Sequence, residues 1–475
     1  MLDLREQLSM VWLIARRELR DQFRDWRIIF PMIVLTLFFP FLMNYTAGQA
    51  VGFVSQYGAT LIGERLVPFL LMVVGFFPIT VSLVIALEAF VGEKERGTIE
   101  PLLSSPLKDW QLYLGKLIAA TSVPLLTAYI GISVYLIGLR IQHVPFLDPG
   151  LLVQTIALTT VQAVLMVSGA IVISTQATSV RAANLMSSFI VIPMALLIQG
   201  ESVLMFWGNN QILWSAVVGV TVMAALLVRV GVSHFQREAL LGHEIDILNL
   251  RWMGRTFWRS FRGEAKSLGG WYRREVTQTL RKQAIPIWMT SLLGLAGFVA
   301  GYLWILNNAS QLGLRTSSED IQKAMEMALG VPANLQISFQ YIWLHNLRAV
   351  ALILLLGLFS FGVLGTIVFM GNVGLIGAVL ALVKVVGYSP ALLALSGILP
   401  HGIFEIPAVI LASAAVLHLG AALVTPVPGR TLGEVLLEAL ADWAKIGLGL
   451  VLPLLTVAAA IEVWITPCLI LWALR

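Results

Sequence analysis

The sequence predicts an all-α, polytopic membrane protein of about eleven transmembrane helices, preceded by an amphipathic helix at the membrane surface. Hydrophobic residues make up 58% of the chain and charged residues 12%. A soluble domain carries roughly twice that charge. Many apolar runs reach the ~20 residues that cross hydrocarbon as a helix. The ~10-residue alternating segments of a membrane barrel are missing. A length of 475 residues leaves room for two membrane domains.

Residues 2–27 begin the chain with a helical pattern. Leu4, Leu8, Val11, Trp12, Ala15, Leu19, Phe23 and Trp26 recur at steps of three and four, beside a row of Arg16, Arg20, Arg24 and Arg27. Such a helix lies flat among headgroups, with its stripe in acyl chains and its guanidinium groups on phosphates. The structural alternative, a soluble helix packed on a domain, fits less well because an apolar run follows at once. That run starts near Ile28, behind a charged helix, and reads as a retained anchor rather than a cleavable signal.

Candidate spans follow at about 28–45, 67–91, 113–138, 151–176, 184–200 and 211–232. They put the Arg-rich N-terminus, the charged island 92–112, Arg181 and the segment after 232 on one side. The alternate loops 46–66, 139–150 and 201–210 hold only Arg65 and Arg140 as basic residues. Positive charge collects on the cytoplasmic side, so the N-terminus is expected in the cytoplasm. Residues 229–285 hold eleven Lys/Arg against five Asp/Glu, interleaved with Trp252, Phe257, Trp258, Phe261, Trp271 and Tyr272. Basic-plus-aromatic composition can bind nucleic acid. Next to membrane spans it reads as a cytoplasmic linker, 233–285, lying on anionic lipid, and no nucleic-acid partner is expected. The lone cysteine, Cys468, excludes an intrachain disulfide framework.

The second half is glycine-rich, with spans expected at about 286–306, 345–369, 371–388, 400–424 and 446–472. Gly294, Gly297 and Gly301, like Gly371, Gly374 and Gly377, recur at helix-face spacing, which lets helices approach closely in lipid. A polar loop, 307–340, separates the first two of these spans and is expected outside the cell. Thr431 and Glu434 form a capping-box pattern opening a stretch in which Glu434, Glu438 and Asp442 share a face. An odd span count places the C-terminus outside, although charge bias here is too small to fix it.

No phosphate-cradling Walker loop, H-E-x-x-H, G-x-S-x-G or paired-cysteine metal pattern occurs. Nothing here can house ATP hydrolysis, so no catalytic residue and no bound cofactor or metal is expected. An energised transporter built on this chain must recruit its ATPase. The island Glu93-Lys-Glu-Arg-Gly-Thr-Ile-Glu100-Pro-Leu-Leu-Ser-Ser-Pro106, then Trp110-Gln-Leu-Tyr-Leu-Gly-Lys116, closely resembles the signature of type-two ABC exporter permeases. Ala15-Arg-Arg-Glu-Leu-Arg-Asp-Gln-Phe-Arg-Asp25 is similar to their interfacial helix, and Phe235-Gln-Arg-Glu-Ala-Leu-Leu241 to their closing segment. The resemblance covers about 1–245. It implies a six-span permease-like domain, 1–232, whose first cytoplasmic loop enters a cleft on an ATPase subunit that binds the ATP and Mg. It implies that Glu93, Glu95, Arg96, Gly97, Thr98 and Glu100 form the coupling element within 93–110. The physics agrees: Gly97 and Thr98 permit a sharp helix entry, the charges keep the loop in water, and Pro101 and Pro106 redirect the chain. An unspecialised solvated loop would not need so long a motif.

From His345 onward, His345-Asn346-Leu-Arg348, Gly371-Asn372-x-Gly374-x-x-Gly377, Leu399-Pro400-His401-Gly402-x-x-Glu405-x-Pro407-Ala408, Pro428-Gly429-Arg430 and Ala460-Ile-Glu462-x-x-Ile-Thr466-Pro467 occur in order. Together they closely resemble the stage II sporulation protein M family over about 286–475. That family implies a polytopic membrane subunit that partners cell-wall remodelling. His401 and Glu405 are four apart, on one helix face, and Glu462 lies in the final apolar run. An ionisable group in hydrocarbon costs several kcal/mol unless paired or hydrated. His345, Asn346, Asn372, His401, Glu405 and Glu462 therefore either line a polar path or ligand site, or form a network fixing helix register. Two ligands at that spacing plus a distant Glu are a common chance pattern for a metal.

The expectation is a permease subunit of an ATP-driven ABC transporter in the inner membrane of a bacterial or archaeal cell. Its partners would be an ABC ATPase, a second permease copy, lipid and, through 307–340, an extracytoplasmic protein. The alternative is a membrane scaffold that passes ATPase cycling to a cell-envelope partner.

Overall fold

The computed structural model describes residues 4–57, 60–97, 104–144, 148–176, 183–184, 188–207, 210–235, 250–309, 338–425, 430 and 432–473. These are helices joined by short turns, with no strand among the described residues. Ten helices are long and apolar enough to cross a membrane. A further 20-residue apolar helix, Ser188–Trp207, occupies the fifth expected span. The chain is an all-α multi-pass membrane protein, and it divides into two units, Met1–Leu248 and Asn249–Arg475.

In the first unit, helix α1 (Leu4–Gln22) is followed by α2 (Trp26–Tyr57), α3 (Thr60–Glu95), α4 (Asp109–Ile141), α5 (Pro149–Gln176), α6 (Ser188–Trp207) and α7 (Asn210–His234). The apolar face of α1 splits in two. Val11, Ile14 and Ala15 are buried, whereas Leu8, Trp12 and Phe23 are more than half exposed. The first set packs on α4, where the site of a Gly115 Cβ already lies 2.7 Å from Ile14. The second set is what a lipid-immersed stripe looks like. Helix α3 runs through the centre and buries Leu71, Ile79, Leu87 and Phe90.

In the second unit, α8 (Leu250–Arg262) precedes a continuous helical run made of Leu268–Trp271, a π turn at Tyr272–Val276, and Thr277–Lys282. Then come α9 (Ala284–Asn308), α10 (Phe339–Phe359), α11 (Val363–Val385), α12 (Leu399–Val424), α13 (Leu432–Ile446), α14 (Leu452–Trp464) and α15 (Thr466–Ala473). Residues 249–282 pack into this unit. Val276 shares a buried cluster with Ala408, Ile446 and Val451, Tyr272 donates to the Gly449 carbonyl at 3.0 Å, and Lys445 lies 3.3 Å from Glu275 and 2.9 Å from Asp442. Exposed Arg251, Arg255, Trp258 and Arg259 remain on the outer face of α8.

Glycines bring α9 and α11 together. A Cβ on Gly301 would collide with the Gly374 backbone, and one on Gly377 with the Phe298 carbonyl. Gly371, expected in the same seam, faces open space.

The apolar run 345–369 is not one span. Helix α10 stops at Ser360, the chain turns through Phe361 and Gly362 at φ 52° and 90°, and α11 starts at Val363. Hydropathy cannot see this break, because the turn is apolar too. Its polar work falls to Ser360 Oγ, which accepts the Leu364 N–H at 2.8 Å. The last run, 446–472, also breaks, between Trp464 and Thr466. Thr431 of the expected capping box lies outside the described residues, as do 310–337 of the polar loop.

Candidate functional site

Two polar sites stand out, one in each unit. The first lies where α3 ends and α4 begins. Helix α3 ends at Glu95, and the next residue, Arg96, donates from its Nε to the Gly92 carbonyl at 3.1 Å. Gly97 follows at φ 69°, the left-handed conformation that glycine adopts without penalty past a helix end. The backbone therefore turns at the end of α3. Glu95, Arg96 and Gly97 are exposed, Glu93 is half-buried, and Thr98 and Glu100 lie outside the described residues.

Beneath this exit sits Lys116, in the second turn of α4, with 1% of its side chain exposed. Its Nζ lies 2.9 Å from a Glu93 carboxylate oxygen and 3.2 Å from Glu18 of α1. The ammonium also stands 5.0 Å from the centre of the Phe90 ring, within cation–π range. One cation thus joins three elements. Gln111 reinforces the junction: its Oε1 accepts the Lys108 N–H at 2.8 Å, and its Nε2 donates to the Gln7 carbonyl at 3.2 Å. Gly115 supplies the clearance for α1, since an added Cβ would meet Ile14 at 2.7 Å. The Gly115-Lys116 pair thus has a physical job, one residue making room for α1 and the next pairing with it. The α3 end is further braced by Ser174 of α5, whose Oγ accepts the Phe90 and Val91 N–H groups at 3.1 Å each. Phe235 is buried against Phe90, with ring centres 5.1 Å apart.

Sequence reasoning left Glu18 and the role of Lys116 unread. The available signal was a lysine one and a half turns inside an apolar run, where an ionised group needs a partner. It also missed Glu201 of α6, 3% exposed, which accepts a hydrogen bond from the Gln162 amide of α5, itself 1% exposed.

The second site is in the Asn249–Arg475 unit. His401 and Glu405 of α12 and Glu462 of α14 converge, each offering a ligand atom within 4.8 Å of the other two. His401 Nδ1 lies 3.3 Å from Thr466 Oγ1. Among the described residues this is where a metal ion could be held. A π turn at Ala394–Ile398 immediately precedes α12; such turns re-aim the residues that follow them. The other intramembrane candidates are not among these three ligands. Asn346 is 8% exposed, with its Nδ2 unpartnered. His345 and Asn372 are exposed on the surfaces of α10 and α11, and the structure does not bring them into the cluster.

Comparison with known proteins follows the same division. Residues 12–211 match the family described as ABC-2 family transporter protein, and residues 290–467 match stage II sporulation protein M. The chain is 31% identical over 125 residues to a "Probable ABC transporter permease protein NosY" of Pseudomonas aeruginosa, covering 26% of this chain and 43% of that protein. The same figures hold for the NosY permease of Stutzerimonas stutzeri. The chain thus spans less than half the length of these two relatives. It is also 31% identical over 186 residues to "Uncharacterized protein MJ0793" of Methanocaldococcus jannaschii, covering 38% of this chain and 94% of that one. Residues 12–211 are thus similar to the ABC-2 transporter family and residues 290–467 to the stage II sporulation protein M family.

Proposed function

We propose that the chain is the membrane-spanning permease subunit of an ATP-driven ABC transporter, non-catalytic itself and driven by a separate ATPase gripping residues 93–110. The observation that carries this reading is the Lys116 junction. Glu93 sits at the exit of α3 and is tied through one buried ammonium to α4 and to the surface helix α1. A push on the segment after Glu93 would move three elements together. A loop with no mechanical role needs no such anchorage. The likeness to NosY permeases over 125 residues supports the same reading. On it, the N-terminus is cytoplasmic, ATP and Mg2+ are bound by the partner, and a second permease copy completes the path.

The test is affinity purification of the full chain from membranes, with its partners identified by mass spectrometry. An ABC ATPase should co-purify, and Gly97→Val should deplete it. Undiminished recovery with that variant, or no ATPase with the native chain, defeats the proposal.

A second reading is favoured by the region similar to stage II sporulation protein M, residues 290–467, which a permease does not need. In it, the chain is a scaffold that relays ATPase cycling to an envelope partner through 307–340. Deleting 310–337 would then remove that partner while leaving ATPase recovery intact.

A further inference from the structure

We propose that His401, Glu405 and Glu462 hold a divalent first-row transition-metal ion within the second membrane unit. Three observations carry this, none of which depends on the transporter reading.

The first is convergence across the chain. Two ligands come from one face of α12, one turn apart, and the third from α14, some sixty residues later in sequence. The three ligand atoms nevertheless lie within 4.8 Å of one another. One imidazole and two carboxylates form a mixed nitrogen–oxygen donor set suited to Zn2+ or Mn2+.

The second is charge. Two carboxylates meet on helices built to cross hydrocarbon, and no lysine or arginine is paired with either in the ion pairs among the described residues. Two carboxylates so close together on apolar helices favour a cation between them, and a divalent ion matches their combined charge. His401 Nδ1 also lies 3.3 Å from Thr466 Oγ1, a contact that fixes the ring.

The third is Asn346. Phe339, Trp343, Asn346 and Val350 follow at steps of four, three and four, so they form one stripe of α10. Phe339 stacks on Trp464, Trp343 Nε1 donates to Thr456 Oγ1 at 3.1 Å, and Val350 packs with Ala408 and Leu455. Asn346 therefore faces α12 and α14 between these contacts, 8% exposed and with no partner for its Nδ2. A buried amide left without a partner is unfavourable, and this one lies on the face of α10 that packs on the two ligand-bearing helices.

The experiment uses the full-length chain in detergent, stripped with chelator and reloaded with Co2+ or Zn2+. We expect retention of one ion per chain after desalting, visible d–d absorption for Co2+, and a higher unfolding midpoint with Zn2+ through mass action. His401→Ala and Glu462→Gln should weaken retention about tenfold or more, while Glu438→Gln, which touches only the exposed Arg430, should not. If His401→Ala fails to fold, the Glu462→Gln chain, which preserves size, carries the comparison. No uptake by the native chain, or equal uptake by native and folded Glu462→Gln chains, overturns the proposal and leaves a proton-sharing carboxylate pair.

Discussion

Lys116 and Glu93 meet at 2.9 Å, and the same ammonium reaches Glu18 at 3.2 Å while only 1% of its side chain is exposed. A buried cation between two partly exposed carboxylates is not a surface ion pair of negligible worth. Removing one member leaves an uncompensated charge, a loss of about 3–5 kcal/mol when the site is fully buried. Glu93 and Glu18 retain 20% and 18% exposure, so water moderates the loss.

Lys116→Met keeps the volume and removes the cation. Both carboxylates then have a route to solvent, whereas Glu93→Leu leaves the buried lysine with Glu18 alone as its carboxylate partner. We therefore expect Glu93→Leu to lower the unfolding midpoint more than Lys116→Met does. Thermal melting of the purified variants measures the order, and the reverse order would mean that the carboxylates, not the cation, are the trapped groups. Both changes should reduce ATP-stimulated coupling in reconstituted membranes.

Gly97 gives a contrast between space and conformation. An added Cβ meets nothing within 4 Å, yet φ is 69°. The cost of a substitution here is conformational, roughly 1–2 kcal/mol for most side chains and less for asparagine. Gly97→Asn should therefore retain ATPase recovery, and Gly97→Val should lose it. Equal recovery with both would show that the left-handed turn is not what the partner reads.

Much of this was legible in the sequence, for reasons particular to each element. Spans were legible because ~20-residue apolar runs have few other uses, and the polar residues of the second unit because ionisable groups in lipid are conspicuous. The α10–α11 turn was hidden because Phe361 and Val363 look like span, and the positive φ of Phe361 and Gly362 is visible only in the structure. Convergence of Glu462 on His401 was hidden because helix spacing reports neighbours within a turn or two, not the packing of α14 on α12. Docking of residues 268–282 was hidden because Glu275 and Lys445, which join it to α13, lie 170 positions apart. The last two misses are tertiary contacts that no local pattern encodes.

The α9–α11 seam predicts a graded series. Both backbones approach so closely at Gly301 and Gly374 that a single methyl must displace one helix. Without a hydrophobic driving force between helices in lipid, that lost van der Waals contact has no replacement. Gly301→Ala should lower the unfolding midpoint and Gly301→Leu should lower it further, whereas Gly371→Ala, at an open position, should leave it unchanged. A melting series in one detergent decides it, and equal midpoints for Gly301→Ala and Gly371→Ala would refute the seam.

Glu201 and Gln162 pose the last prediction, in the first unit. Both side chains are buried, at 3% and 1% exposure, and the Gln162 amide donates to the Glu201 carboxylate. The pair ties α6 to α5. Glu201→Gln replaces the carboxylate with an amide whose oxygen still accepts from Gln162, so folding should be little affected. Glu201→Leu removes the acceptor and leaves the Gln162 amide desolvated and unpartnered, a loss of about 1–3 kcal/mol. Gln162→Leu in the same chain should restore part of that loss, because removing both polar groups also removes the unmet demand. Unfolding of the two single variants and the double variant in mixed micelles forms the cycle. A double variant no more stable than Glu201→Leu alone would show that Gln162 finds another partner, and that the contact between α5 and α6 does not rest on this hydrogen bond.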